Sequence, residues 1–422
     1  MNEISEHLAR LEIELPTLAA LLGLEDRHIA ALQAMEAGVL PIPKRARQQL
    51  LRLPAMLPFA KRSSDHSKFK FIDLFAGIGG IRLPFQRRGG ECVFTSERDR
   101  HAKITYAANF GEVPPGSGDI TEVSSDEIPD HDLLLAGFPC QAFSQASRKG
   151  GFYDTRGTMF FEIQRILAHR QPKAFLLENV KQLQGHDYGN TLKTIMAILG
   201  DKYVPRIPDG VLLSHEARES LGRPLGYHVD FRVLRARDFG VPQNRERIYI
   251  VGIRKDALAS ELSDNVIGRM FDRIQDKRYE VRTFGEILER DADVEHSFMI
   301  SERLWRGHQG RKARHESNGN GFGFSLFDEN SLYCNTISAR YYKDGSEILV
   351  KGSGERPRKL TPREAARIQG FPANFYIDAV STAQIYKQFG NSVAMPVIDA
   401  IASELLPLIG VETPLESGQW PI

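Results

Sequence analysis

Between residues 69 and 253 the chain alternates short apolar runs, FKFIDLF, CVFTSE, HDLLLAGF, KAFLLENV, HVDFRVL and RIYIVGI, with amphipathic stretches. Runs of strand length separated by segments of helix length predict an α/β fold built on a doubly wound, mostly parallel sheet. One intervening helix is legible in detail. In TMFFEIQRILAHR, Met159, Phe160, Ile163, Ile166 and Leu167 form a single apolar stripe.

Different patterns flank this region. Residues 1–62 read as a helical extension: Ile4, Leu8, Leu11 and Leu15 recur at helical spacing, and TLAALLGLEDRHIAALQ predicts two short helices joined at Gly23, followed by a helix over RARQQLLRL. The polar stretch KRSSDHSK, residues 61–68, has the composition of a linker. The alternating region is expected to span 69–257. Over 258–357 it gives way to polar, glycine-rich sequence such as RKARHESNGNGFGFS, which predicts a separate, loop-rich module. A helix restarts at Thr361-Pro362-Arg363-Glu364, where a capping box coincides with proline at the first helical position and Gly370 closes the end. The sheet domain is therefore expected to resume over 358–410. Residues 201–227 read as an extra loop without an evident role.

Several function classes are disfavoured. No window approaches the run of about 18 apolar residues that a membrane span requires. The amphipathic, acidic start MNEISEHLARLEIEL lacks the basic and apolar regions of a secretory signal, so a cytoplasmic protein is expected. Cys92, Cys140 and Cys334 form no CxxC pair, which supports neither a metal site nor a disulfide framework. The net charge of +1 announces no nucleic-acid partner, so such a partner has to be argued locally.

The residues able to do chemistry cluster at expected strand ends. The first strand runs into DLFAGIGG, residues 73–80, where glycines allow a tight turn and close approach of a ligand. Its departure from GxGxxG argues for an adenosine-type ligand over a pyrophosphate. Glu97 ends the next strand, placed to accept hydrogen bonds from ribose hydroxyls, and Gly118-Asp119-Ile120 ends an expected third strand, offering a carboxylate and an apolar face. Cys140, in AGFPCQAFS, follows a Phe-Pro turn at the carboxyl end of a strand. A helix N-terminus beyond it would favour the thiolate. Glu178 ends KAFLLENV behind four apolar residues, a setting that desolvates a carboxyl group and lets it donate a proton. Arg245 and Arg247 precede another strand, and residues 340–367 hold eight Lys or Arg against four Asp or Glu. Each feature alone also fits a plain role: a lone cysteine as a small buried hydrophobe, Glu178 as an ion-paired or capping group, and the arginines and basic strip as solvated surface.

Taken in order, DLFAGIGG, GFPCQAFS, ENV, QNRERIYIVG, RKLTPREAARIQGFP and QFGNSV closely resemble the motifs of the cytosine-5 DNA methyltransferase family across 69–257 and 358–400. That resemblance implies a Rossmann-like S-adenosylmethionine-dependent methyltransferase fold with an inserted target-recognition domain at 258–357. It implies that Phe75, Gly77, Gly79, Glu97, Asp119, Ile120, Pro139, Met159, Asn391, Ser392 and Val393 line the S-adenosylmethionine pocket. Cys140, Glu178, Arg245 and Arg247 would face the target base, and Ser144, Thr336 and Arg340 would contact double-stranded DNA. One departure is Arg98, at a position the family commonly fills with a large apolar or aromatic residue packed on adenine. GNGFGF and TISARYYKDGSEILV resemble the Dcm-like branch, which implies methylation in short sites beginning CC and ending GG, in a restriction-modification system with a cognate endonuclease or as a solitary methylase. The N-terminal helices resemble the helix-turn-helix extension of some members. EDRHIAALQAM offers only Arg27 and His28 as basic side chains, however, so a docking role stands beside repression.

The implied mechanism is thiolate attack by Cys140 on carbon 6 of a flipped cytosine, with Glu178 at ring nitrogen 3. The polar segment SQASRKGGFYD is expected to form a loop closing over the nucleotide. A tRNA methyltransferase, a DNA-binding regulator using this fold as scaffold, and an NAD-dependent oxidoreductase are the rivals.

Overall fold

The computed structural model describes residues 2–24, 26–61, 67–139, 159–206, 211, 213–258, 265–319, 323–352 and 354–412. All six apolar runs form strands: β1 (Phe69–Leu74), β2 (Gly90–Ser96), β3 (Leu133–Gly137), β4 (Ala174–Val180), β5 (Tyr227–Arg235) and β6 (Glu246–Arg254). They make one sheet in the order β2-β1-β3-β4-β6-β5. β1, β2, β3 and β4 pair in parallel, and β6 runs antiparallel to both β4 and β5. This reversal positions the site, because it brings the start of β6 to the edge where β4 ends, with Val180 opposite Arg247.

The helical extension forms α1 (Glu3–Leu11), α2 (Leu15–Leu21), α3 (Ile29–Glu36) and α4 (Lys44–Leu50). Its apolar residues Leu18, Leu21 and Leu22 join one core with Ile104 and Tyr106 of α6 (Arg100–Phe110), which follows α5 (Arg82–Arg87). Polar contacts reinforce the seat: the Arg100 guanidinium donates to the Gly23 carbonyl, and Tyr376 Oη donates to the Arg52 carbonyl at 2.6 Å.

Alternation along the strands sends Phe71, Leu135 and Val251 to one face of the sheet and Ile72, Leu134, Leu177 and Ile250 to the other. The second face is covered by α7 (Met159–Arg170), α8 (Asn190–Leu199) and α9 (His215–Ser220). The first is covered by α5, α10 (Val266–Asp276) and α16 (Met395–Leu408). Met270, Phe271 and Ile274 of α10 are buried there, so the core of the sheet extends beyond residue 257.

Two expectations need correction. No strand lies between β2 and Asp119; a loop leads into a single 3-10 turn, Ile120–Glu122. The sequence GEVPPGSG explains this, since Pro114 and Pro115 lack the N–H that a ladder needs and glycine weakens a strand. The polar stretch read as loop between 258 and 357 contains, besides the short α11 (Phe284–Ile287), the 16-residue α12 (Glu302–Ser317). Only His308 of α12 is buried, so no apolar stripe announces it, although Ser301 caps its N-terminus by accepting from Leu304 N at 3.2 Å. α13 (Tyr341–Asp344) with β7 (Leu326–Phe327) and β8 (Leu349–Val350) complete the module, and β9 (Arg358–Lys359), just past its end, pairs with β8 to make a small three-stranded sheet. The expected capping box starts α14 (Pro362–Arg367): Thr361 Oγ1 accepts from Glu364 N at 3.1 Å, and the Glu364 carboxylate accepts from Thr361 N at 2.8 Å. That carboxylate also receives the buried Arg358 guanidinium at 2.7 and 2.9 Å, and α15 (Thr382–Asn391) follows.

Candidate active site

A cavity of about 430 Å³ opens where β1, β2, β3 and β4 end and β6 begins, the edge at which open α/β sheets hold ligands. Its floor is the turn after β1. Phe75 has φ 54° and Gly77 φ 56°, a left-handed pair at the mouth of a site; for Phe75 this conformation costs about 1 kcal/mol or more. Gly77 N–H donates to Glu97 Oε2 at 2.8 Å, and Asp99 N–H donates to Glu97 Oε1 at 2.6 Å. Burial pushes the Glu97 carboxyl above its ordinary range, and these backbone donors pull it back. Each oxygen retains a second lone pair for a hydroxyl donor. Gly80 meets the closing segment so tightly that a Cβ there would lie 2.6 Å from Ser392 Oγ.

At the other end Glu178 Oε1 and Arg247 Nε form an ion pair at 3.1 Å. Burial raises the Glu178 pKa, and Arg247 and Arg245 oppose the rise. Asn179 Nδ2 donates to the Phe138 carbonyl at 3.2 Å, tying the Phe138-Pro139 turn to β4. Arg245 is 2 % exposed and donates to the carbonyls of Ile337 and Gly390, at 3.3 and 3.2 Å, and of Ser392. Its guanidinium is thus engaged in joining the 258–357 module to the closing segment. Burial, with repulsion from Arg247, pushes its pKa down to about 9.

Of the sequence-predicted residues, the cavity gathers Phe75, Gly77, Glu97, Pro139, Glu178, Arg245, Arg247, Asn391, Ser392 and Val393. Gly79, Asp119, Ile120 and Met159 stand outside its lining. Gly79 faces Phe110, whose ring would lie 2.3 Å from a Cβ, so its absent side chain serves packing. Asp119 pairs with the exposed Arg98 at 3.1 Å, Ile120 is buried behind it, and Met159 begins α7 half-buried. Gly118 brings this segment against Glu97, where a Cβ would lie 2.0 Å from the Glu97 carbonyl oxygen. Thr336 Oγ1 donates to the Asn244 carbonyl at 2.7 Å, and Arg340 is exposed at the start of α13. Cys140, Ser144 and the expected loop lie outside the described residues.

Sequence reasoning missed Asp99, Asn179, Lys387 and Gln388, which also line the cavity. Lys387 Nζ meets Asp99 Oδ2 at 2.6 Å, and Gln388 Nε2 donates to the His101 carbonyl at 2.9 Å, clipping α15 to α6. Asp99 was accessible as an N-cap residue; a lysine on a helix carries no comparable local signal.

A family model for C-5 cytosine-specific DNA methylases matches residues 69–202 and 219–406. The chain belongs to that family. This methylase transfers a methyl group from S-adenosylmethionine to carbon 5 of cytosine in DNA. It is 47% identical over 407 residues to the Type II methyltransferase M1.ScrFI of Lactococcus lactis subsp. cremoris, covering 96% of this chain and 95% of the relative. It is 37% identical over 456 residues to the DNA-cytosine methyltransferase of Escherichia coli (strain K12), covering 93% of this chain and 89% of the relative, which accords with the Dcm-like resemblance. The S. pombe Dnmt2 methyltransferase structure superposes with a TM-score of 0.59 at 19% identity, covering 80% of this chain and 98% of that one, a likeness of fold alone. The cavity suits the cofactor: its volume lies in the range of about 300–1,000 Å³ common to small-molecule sites, and Gly77 leaves open space beside a carboxylate that can receive hydroxyls. Among the described residues no helix is long and apolar enough to cross a membrane, and no cluster of His, Cys, Asp and Glu could hold a metal ion.

Proposed function

We propose that the Gly77–Glu97 end of the cavity holds S-adenosylmethionine and that the Glu178–Arg247 end receives the flipped cytosine. The observation carrying this is the 3.1 Å ion pair of the buried Glu178 with Arg247, sharing one cavity with the Gly77–Glu97 turn. Glu97 takes the ribose hydroxyls, Phe75, Pro139 and Val393 pack on the cofactor, and Asn391 and Ser392 close the pocket. Cys140, next to Pro139 in the chain, attacks carbon 6 as thiolate, so that an S–C bond forms and the ring's π pair moves towards carbon 5. Glu178, whose raised pKa keeps a proton available, donates to ring nitrogen 3 and stabilises the enamine. Arg247 orients Glu178 and the base edge, while Arg245 holds the walls in place. S-adenosylmethionine supplies an electrophilic methyl group to carbon 5. Loss of the carbon 5 proton to solvent, cleavage of the S–C bond with departure of the thiolate, and return of the nitrogen 3 proton to the Glu178 carboxylate then restore the ring.

Residues 69–257 with 358–410 form the catalytic unit in this reading, and 258–357 form the target-recognition unit, with Ser144, Thr336 and Arg340 contacting duplex DNA. The resemblance to the Dcm-like branch favours a short site of CC...GG type. Relatives named Type II methyltransferases favour a cognate restriction endonuclease, and a bacterial DNA substrate favours the cytoplasm. For residues 1–62 the shared core with α6 favours a docked role over operator binding.

The test is transfer of labelled methyl from S-adenosylmethionine to duplex DNA and to tRNA, comparing the parent protein with Cys140→Ala, followed by bisulfite mapping. Transfer to DNA at a short CC...GG site, abolished by the substitution, is expected. Transfer to tRNA alone, or undiminished transfer by the variant, overturns the assignment.

A further inference from the structure

The family model passes over residues 203–218, and the start of α9 falls within that gap. α9 is fastened to α7 at two points one helical turn apart. Ser220 Oγ donates to Gln164 Oε1, and Gln164 Nε2 donates to the Ser220 carbonyl, both at 2.9 Å. Four residues earlier the Glu216 carboxylate accepts from Ser124 Oγ at 2.7 Å, Ser125 N at 2.8 Å and Ser125 Oγ at 2.5 Å. Arg165, 1 % exposed, donates to Glu216 at 3.2 Å and to Ser125 Oγ at 2.8 Å. Its remaining N–H groups go to Glu162 and, at 2.7 Å each, to the carbonyls of Ile120 and Val123. All five guanidinium donors are thereby used. Burial alone would raise the Glu216 pKa, but the serine donors hold it down to about 2, so the carboxylate stays charged at any working pH.

The partners of this network are the residues that follow Asp119. In a parallel sheet a strand ending at Asp119 would fix such a segment by its backbone ladder, and here no strand lies between β2 and Asp119. Gly118, pressed against the Glu97 carbonyl, supplies one contact towards the cavity. The side-chain network adds a restraint further along the segment, at Ser124 and Ser125.

We infer that the inserted segment braces the cofactor cavity, with Glu216 as a positioning residue that acts through Ser124, Ser125 and Arg165 to hold residues 118–125 against Glu97. This rests on the proposed placement of the cofactor beside Glu97. Where a segment is binding-competent only part of the time, the dissociation constant rises by the inverse of the competent fraction. Without the brace, occupancy of about a tenth gives about a tenfold loss.

The experiment uses the full chain and calorimetric titration with S-adenosylhomocysteine, alongside steady-state kinetics. Glu216→Gln is expected to weaken binding and raise KM for S-adenosylmethionine about tenfold, with kcat and KM for DNA changed by less than about twofold. Ser124→Ala, a milder lesion, moves affinity the same way by about two- to threefold. Ser220→Ala loosens α9 without touching the brace, so it lowers Tm and leaves cofactor affinity unchanged. Unchanged affinity in Glu216→Gln, or an equal loss in Ser220→Ala, overturns the inference. Glu97→Ala separates the two levels. If it loses affinity while Glu216→Gln does not, only the brace fails; if neither loses affinity, the placement of the cofactor fails as well.

Discussion

Asp73, two residues before Phe75 on β1, is buried and neither carboxylate oxygen has a hydrogen-bond partner. Its neighbour across the strand pair, Thr95, has an equally unpartnered hydroxyl. Burial raises the Asp73 pKa from 3.8 to about 7, against the pull of Arg82 and helped by the charges of Glu97 and Glu112. The folded pKa lies above the unfolded value, so the stabilising contribution is fully present below about pH 4 and is lost as pH rises through about 7. A shift of roughly three units at about 1.36 kcal/mol each amounts to roughly 4 kcal/mol, more than half of it between about pH 5 and 8. Asp73→Asn keeps the shape and removes the titration. Urea unfolding of both proteins from pH 5 to 8 should therefore show the variant's advantage growing with pH by roughly 2–3 kcal/mol. Parallel stability curves across that window would refute the argument, because they would mean that Asp73 ionises as readily in the fold as in the unfolded chain.

Three further outcomes concern the site directly. Glu178→Gln should lower kcat by about 10²- to 10⁴-fold with little change in S-adenosylhomocysteine affinity. The parent enzyme's kcat should fall as pH rises through the elevated Glu178 pKa, because the proton-donating form is lost; a parent rate that stays flat into the alkaline range counts against the proposed donor. Gly118→Ala adds left-handed strain of about 1–2 kcal/mol and sets a Cβ 2.0 Å from the Glu97 carbonyl oxygen. Displacing that segment by about an ångström should weaken cofactor binding by up to about 100-fold, and a calorimetric dissociation constant equal to the parent's would show that the segment does not shape the pocket.

The sequence by itself determined what local periodicity and chemistry encode. Each apolar run with a period of two has one way to bury both faces, hence β1 to β6, and Thr361 with Glu364 satisfies helix-end donors wherever the chain lies. Six ordered motifs carried the family, and with it the cofactor. Tertiary structure decided the rest, for reasons of long-range geometry. The antiparallel insertion of β6 between β4 and β5 sets Arg247 beside Glu178, and nothing in RIYIVGI states the direction in which that strand runs. Arg245 and Arg247 are indistinguishable in QNRERIYIVG, yet Arg245 is engaged by three carbonyls drawn from remote segments while Arg247 pairs with the carboxylate. α12 has no apolar stripe, with Leu304 and Trp305 set among polar and charged residues, and nothing in the 201–227 sequence states that Glu216 reaches Ser125. A side chain's type is written in the sequence, but its partner is set by which distant backbone the packed core brings within hydrogen-bond distance.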